Sequence, residues 1–236
     1  MKNLLLFFVL ICSSIGFAQE RATIALLREQ KQAARDYAED AIVRLNDGSL
    51  LVRLNYKKKQ TTHYDNIGQE SAAKKIRDKQ IKKNMFVIQA FREHYDFSDV
   101  YFFAMGDSRT LLEEGPDAIT FYNDAGEPDS SISISGEYFI AEFGNLQPDT
   151  TYYLDNRLDD TSKENPKQDM YYTTGSSNRQ ALVIMDHRFK QTAKPFPYFA
   201  PFSDMVALKT RYIGPVQKLN RRLHNYFDTT TAKVDE

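Results

Sequence analysis

The chain has 236 residues, 42% of them hydrophobic, a formal net charge of −1 and a single cysteine, Cys12. That length suffices for one sizeable core. Near-neutral charge gives no global case for nucleic acid as a partner, and one cysteine excludes a disulfide framework and any cysteine-based metal cluster.

The first residues read as an export signal. Lys2 is followed by an apolar run from Leu4 to Cys12, then by small residues at Gly16 and Ala18. This is a charged segment, a hydrophobic segment and a small-x-small cleavage pattern. The run is well short of the ~20 apolar residues that a membrane-spanning helix needs. Leu10 and Ile11 stand where a lipoprotein signal needs small residues before its cysteine. Residues 1–18 are therefore expected to be removed, leaving Gln19 first and residues 19–236 as one α/β domain, exported to the periplasm or secreted. Losing Lys2 takes the net charge to −2, and losing Cys12 leaves no thiol. No later apolar stretch is long enough to cross a membrane.

Residues 19–48 read as an N-terminal helix. Ala34, Tyr37, Ala38, Ala41, Ile42 and Leu45 recur at helical spacing, and Gly48 suits the C-terminal cap. A competing reading pairs Ala41–Leu45 with Leu50–Leu54 as a hairpin around Asn46-Asp47-Gly48. The stretch that organises the rest runs from Leu50 to Phe103. LLVRL (Leu50–Leu54) and VYFF (Val100–Phe103) are short apolar runs, and between them Ser71–Tyr95 carries Ile81, Met85, Ile88, Phe91 and Tyr95 as one helical stripe. Strand, helix and strand in that order predict a parallel β-α-β crossover within a mixed sheet.

Lys57, Lys58 and Lys59 open a polar loop to Gly68 and, with Lys74, Lys75, Lys79, Lys82 and Lys83, make residues 57–83 locally basic. This region could serve as an anion-binding module. The plainer expectation is a solvated loop and helix back, because Asp65, Glu70 and Asp78 interrupt the run and no aromatics interleave for base stacking. One helical turn is expected at Arg109–Glu114. An irregular β-rich insertion follows from about Ile119 to Thr174, with strands at Ile119–Asn123, Ser131–Ser135 and Tyr138–Phe143, the last ended by Gly144 and Asn145. Two further runs, Thr151–Leu154 and Met170–Thr174, flank a loop whose acids lack calcium-loop spacing. ALVIM (Ala181–Met185) is the strongest late strand, with Phe189–Thr192 as its expected antiparallel partner. A closing helix runs from about Pro215 to Phe227, with a frayed tail over 229–236.

No catalytic, cofactor or metal motif is present. His63, His94, His187 and His224 are scattered, and there is no HExxH, GxSxG, GxGxxG or GxxxxGK[ST] pattern. The candidates for binding are Phe196, Tyr198 and Phe199, held stiff by Pro195 and Pro197, and the turn pair Asp186 and His187. Covering a sheet edge is the plainer role for Phe196 and Tyr198.

The blocks LLVRL at Leu50, VYFF at Val100, FIAEFGN at Phe139, ALVIMD at Ala181 and PFPYF at Pro195 resemble a family of uncharacterised exported proteins of Bacteroidetes-type bacteria. The order strand–helix–strand, late hairpin and C-terminal helix is similar to a thioredoxin-like order, without the CxxC of that superfamily. The resemblance implies a fold and no activity. The expected function is a soluble, non-catalytic envelope protein binding a protein or small ligand. A hydrolase with a site assembled from distant Asp, His and Arg residues is the alternative.

Overall fold

The computed structural model describes residues 26–147, 179–203 and 205–232. The signal segment, the runs Thr151–Leu154 and Met170–Thr174 and the acidic loop between them lie outside the described residues.

Helix α1 (26–47) settles the choice against the early hairpin. It buries Ala38, Ala41, Ile42 and Leu45, while Tyr37 remains outside at 41% exposure. Gly48 is required by crowding, because a Cβ there would collide with the carbonyl oxygens of Glu137 and Arg44. Strand β1 (Ser49–Leu54) follows, then α2 (Lys58–Asn66), α3 (Glu70–His94) and β2 (Asp99–Ala104). β1 and β2 pair in parallel, Leu50 beside Val100 and Leu54 beside Ala104. The crossover expected from the sequence is present.

Two local expectations change here. The polar loop after Lys57 is mostly helix α2, which packs on α3. It ends on Gly68 in the left-handed region (φ 73), with the N–H of Gln69 donating to Tyr64 O and that of Gly68 to Asp65 O. That is a Schellman closure, which favours glycine at this position. The α3 stripe is also rotated from the one expected. Ile88, Phe91 and Tyr95 are buried, but Ile81 is 45% exposed, and Gln80 and Asn84 take the inward positions of the middle turns. Ser71 does not cap the helix; Gln69 occupies that place without a side-chain bond.

Two-residue strands β3 (Phe121–Tyr122) and β4 (Pro128–Asp129) join a hairpin after helix α4 (Ser108–Glu114), which includes the turn expected at Arg109–Glu114. β5 (Tyr138–Asn145) runs through Gly144 and Asn145 and pairs in parallel with β1. β6 (Gln180–Met185) runs antiparallel to β5, and β7 (Phe199–Pro201) antiparallel to β6. The mixed sheet has the order β4-β3-β2-β1-β5-β6-β7. Within the stretch read as an insertion, β3 and β4 form an edge and β5 lies at the centre. Each edge strand carries a proline, Pro128 and Pro201, which blunts pairing with another chain.

Ser131–Ser135 is not a strand. Asp129 Oδ1 accepts from the Ser131 N–H (2.9 Å) and hydroxyl (2.6 Å), bending the chain there, and the alternation reflects Ile134 packing into the core. The ladder partners of β6 are β5 and β7 rather than Phe189–Thr192. Asp186 Oδ1 holds the Arg188 and Lys190 N–H groups in a turn, Phe189 has φ 60, and only Met185 and Gln191 bridge. The chain then doubles back through the proline segment to pair at Phe199.

After a single helical turn, α5 (Leu208–Arg211), the closing helix α6 spans Ile213–Thr231 and buries Val216, Leu219 and Leu223. It extends past the expected fraying point: the Thr229, Thr230 and Thr231 hydroxyls donate to carbonyls one turn back. Side chains alternate along a strand, so Val52, Phe102, Ala141 and Phe143 share one sheet face. Phe91 of α3 meets Phe102 and Phe143 there, and Tyr212 meets Phe143 with ring centres 4.8 Å apart. Leu51, Tyr101, Phe103 and Ile140 take the other face. The buried apolar side chains of all these elements form a single core. No helix among the described residues is long and apolar enough to cross a membrane.

Candidate functional site

In a sheet of this kind, ligands bind in the crevice outside the carboxyl ends of the parallel strands. β1 and β2 both point to such an edge. Beyond β1, the Asn55 side chain accepts the Lys57 N–H (2.8 Å), and Lys57 adopts the left-handed conformation (φ 50) immediately before α2. Gln60 and Thr61 donate to Lys57 O, so the N–H groups of Lys58 and Lys59 open the helix with no carbonyl one turn back. Beyond β2, the Ser108 hydroxyl donates to Met105 O (2.8 Å) and starts α4 with Arg109 outermost.

Between these two exits lies a crevice of about 560 Å³. Arg53, Lys57, Lys58, Lys59 and Arg109 line it, and no carboxylate does. The three lysines have no ion-pair partner among the described residues, whereas Arg109 is exposed and reaches Glu113 at 2.8 Å. Arg53 Nη1 meets Glu142 Oε2 at 2.7 Å, its guanidinium lies 5.4 Å from the Phe189 ring centre, and its buried Nε has no partner among the described residues. Tyr56, on the crevice wall, stacks on Tyr122 with ring centres 5.3 Å apart. Burial, and secondarily the Tyr122 phenol, push the Tyr56 hydroxyl above its usual range, so it is a neutral donor at physiological pH.

A smaller cavity of about 230 Å³ adjoins this one and shares Arg53, Asn55, Lys57 and Met105 with it. Its walls add Gln80, Asn84 and Lys83 of α3, Glu142 of β5, Gln180 of β6 and Arg211.

The residues singled out by sequence lie elsewhere. Phe196 is buried and stacked on Phe139 (6.1 Å, 10°), and Tyr198 is buried with its carbonyl accepting the Ile184 N–H. Phe199 is half-buried on the edge strand. These three line an open groove against α6, where Arg222 Nη1 donates to Phe199 O at 2.9 Å. Asp186 is a turn-holding residue. His187 is exposed and meets Tyr138 edge-on at 6.5 Å. Both sit at the end of β6, which lies beside the amino end of β5 and so opposite the crevice. The lysine run was visible in the sequence. Arg53, Tyr56 and Arg109 carry no motif, although the position of Arg53 at the end of the first crossover strand is a usable signal.

One distant Asp–His contact does form. Asp96 Oδ1 accepts from Asn220 Nδ2 (2.7 Å) and contacts His224 Nε2 (2.8 Å). The Asp96 and His224 side chains are 80% and 43% exposed, and His224 stays outside the neighbouring cavity that Asp96 lines. Among the described residues no group of three or more His, Cys, Asp or Glu could hold a metal ion.

Comparisons with protein-family models, with curated proteins and with solved structures find no match to this chain.

Proposed function

We propose that this is an exported, non-catalytic binding protein that takes an anionic ligand in the crevice at the carboxyl ends of β1 and β2. The observation that carries this reading is that five cationic residues and no carboxylate line one concave surface, with Lys57, Lys58 and Lys59 free of ion pairs among the described residues. A solvated lysine run would leave Lys57–Lys59 pointing apart from the rest of the chain. Here they line one crevice with Arg53 of β1 and Arg109 of α4. Charge-assisted bonds from such groups are the stronger class of hydrogen bond. The opening N–H groups of α2 add donors of the same sign.

Export and membership of the Bacteroidetes-type family rest on the signal pattern and on the blocks quoted above. The hydrolase reading has less support, because the Asp96–His224 pair is exposed and its histidine stays outside the cavity that Asp96 lines.

The test is a titration of ¹⁵N-labelled protein beginning at Gln19 with inorganic phosphate at low ionic strength. Amide shifts are expected at Lys58, Lys59 and Arg109 and should shrink as salt is raised, since exposed charges are screened over about 10 Å at 0.1 M. Shifts confined to other parts of the chain, or none, would overturn the reading.

A further inference from the structure

The inner cavity adds amides and the Glu142 carboxylate to further cations, Lys83 and Arg211, and that mixture specifies a ligand. We infer that the crevice binds an anionic monosaccharide, its charged group at Lys57–Lys59 and Arg109 and its hydroxyl groups in the cavity formed by Gln80, Asn84, Gln180 and Glu142. This rests on the anion-binding reading above and extends it to the rest of the ligand.

Gln80 and Asn84 are 8% and 4% exposed on a helix whose other inward residues are apolar. Burying amides in place of apolar side chains costs stability unless their polar atoms are used. Within the protein Asn84 is used on both amide atoms, and Gln80 only in part. Gln80 Nε2 donates to Asn84 Oδ1 (3.2 Å) and Asn84 Nδ2 to Asn55 O (3.0 Å), which leaves Gln80 Oε1 without a protein partner among the described residues and open to the solvent of the cavity. Glu142 is similar: Oε2 receives Arg53, and Oε1 has no partner among the described residues. The Gln180 side chain also has none, although its backbone carbonyl accepts the Phe202 N–H.

The spare atoms at this end are thus acceptors as well as donors. A sulfate has only acceptors to offer them and an inorganic phosphate only one or two hydroxyl donors, and Glu142 repels either anion. A hydroxyl group both donates and accepts, so it satisfies an amide oxygen or carboxylate and an amide N–H together. The two cavities share Arg53, Asn55 and Lys57, so one small molecule can present an anion to the mouth and hydroxyls to the interior. Together they fall within the ~300–1,000 Å³ usual for small-ligand sites. The anion could be a phosphate or a sugar carboxylate, since both offer the same acceptor oxygens to lysine.

The experiment is calorimetric titration of the exported chain with glucose 6-phosphate, glucuronate, inorganic phosphate and glucose at one ionic strength. One of the two anionic sugars is expected to bind at least about tenfold more tightly than phosphate, which corresponds to one further well-made interaction, and glucose more weakly than either. Which sugar leads identifies the anion. Gln80→Leu and Gln180→Leu should each bring the anionic sugar down to the affinity of phosphate while leaving phosphate binding unchanged. Gln180 is on a different element and only half-buried, so it serves if Gln80→Leu misfolds. Phosphate and both anionic sugars binding equally would overturn the hydroxyl recognition and leave the anion reading standing. No binding of phosphate or of either anionic sugar would overturn both.

Discussion

Arg53 of β1 and Glu142 of β5 form an ion pair across two parallel strands, 2.7 Å apart and with side chains only 20% and 23% exposed. Register places them side by side, one step beyond the pairing of Val52 with Ala141. The pair is the border between the cationic mouth and the polar inner cavity, because Arg53 lines both and Glu142 only the inner one. Glu142 absorbs part of the charge of Arg53, and Glu113 part of that of Arg109, so Lys57, Lys58 and Lys59 carry most of the mouth's unpaired charge.

Removing one partner should therefore cost more than removing both. Arg53→Met leaves a largely buried carboxylate alone, and breaking buried pairs costs about 3–5 kcal/mol; residual solvent access here reduces that to about 1–3 kcal/mol. The double variant Arg53→Met with Glu142→Leu is expected to recover at least half of the loss. Urea denaturation of the two single variants and the double variant measures the coupling. Strictly additive losses would show that the pair does not interact in solution.

The lysine run separates stability from binding. Replacing Lys57, Lys58 and Lys59 together by Ala should move stability by only about 0.5 kcal/mol per site, as is usual for surface positions away from structural features. The same variant should lose phosphate binding at low salt. A large fall in melting temperature, with binding retained, would mean the lysines serve α2 and not a ligand.

A pH effect follows from Asp96. The Asn220 amide and then the His224 ring, by hydrogen bonding, hold its carboxyl below the usual carboxylate range. A carboxylate with a depressed folded-state value stabilises the fold above its unfolded value, near pH 3.9, and loses that contribution as pH falls through the folded value. The wild type should therefore lose stability below about pH 4 more steeply than Asp96→Asn. Melting temperatures of the two between pH 6 and pH 2 should converge as the pH falls. Parallel curves would show that the clasp between the end of α3 and α6 contributes nothing in solution.

Export predicts a protein that starts at Gln19. Mass spectrometry of the intact chain from an envelope or culture-supernatant fraction should give the mass of residues 19–236. A chain retaining Met1 would remove the export reading.

How much of this was legible depended on whether packing wrote a period into the sequence. β1, β2 and β6 are buried on both faces and read as plain apolar runs, so their strands were clear. α2 buries only Thr61; with no apolar stripe it reads as a polar loop. β7 is three residues with a proline, too short to announce itself. Ser131–Ser135 has strand alternation without a ladder, because Ile134 is buried by a bent loop. The site was harder still. Lysines 57–59 are consecutive, but Arg53 and Arg109 join them only because the crossover sets the ends of β1 and β2 side by side. Gln80 and Asn84 are masked by the apolar spacing, which points Ile81 and Met85 inward, whereas the true inward line passes one residue earlier.

That phase is open to direct test on α3. Ile88 is 1% exposed at the middle of the helix, its Cδ1 close to the β3–β4 turn at Gly126 and its side chain part of the core. Ile88→Ala removes three methyl or methylene groups from a packed site and should cost roughly 2–5 kcal/mol. Against total stabilities of about 5–15 kcal/mol, that is a large fall in melting temperature. Gln89, one position on, is exposed and bonds only to Glu93 one turn away (2.7 Å), so Gln89→Ala should be near neutral. Ile81→Ala discriminates between the two stripes. If the sequence pattern alone set the inward face, Ile81 would behave like Ile88. With 45% of its surface in solvent, it should cost well under half as much. A loss at Ile81 equal to that at Ile88 would rotate the helix back to the sequence-derived stripe. Gln80 and Asn84 would then leave the inner cavity, and with them would go the hydroxyl-binding end of the site.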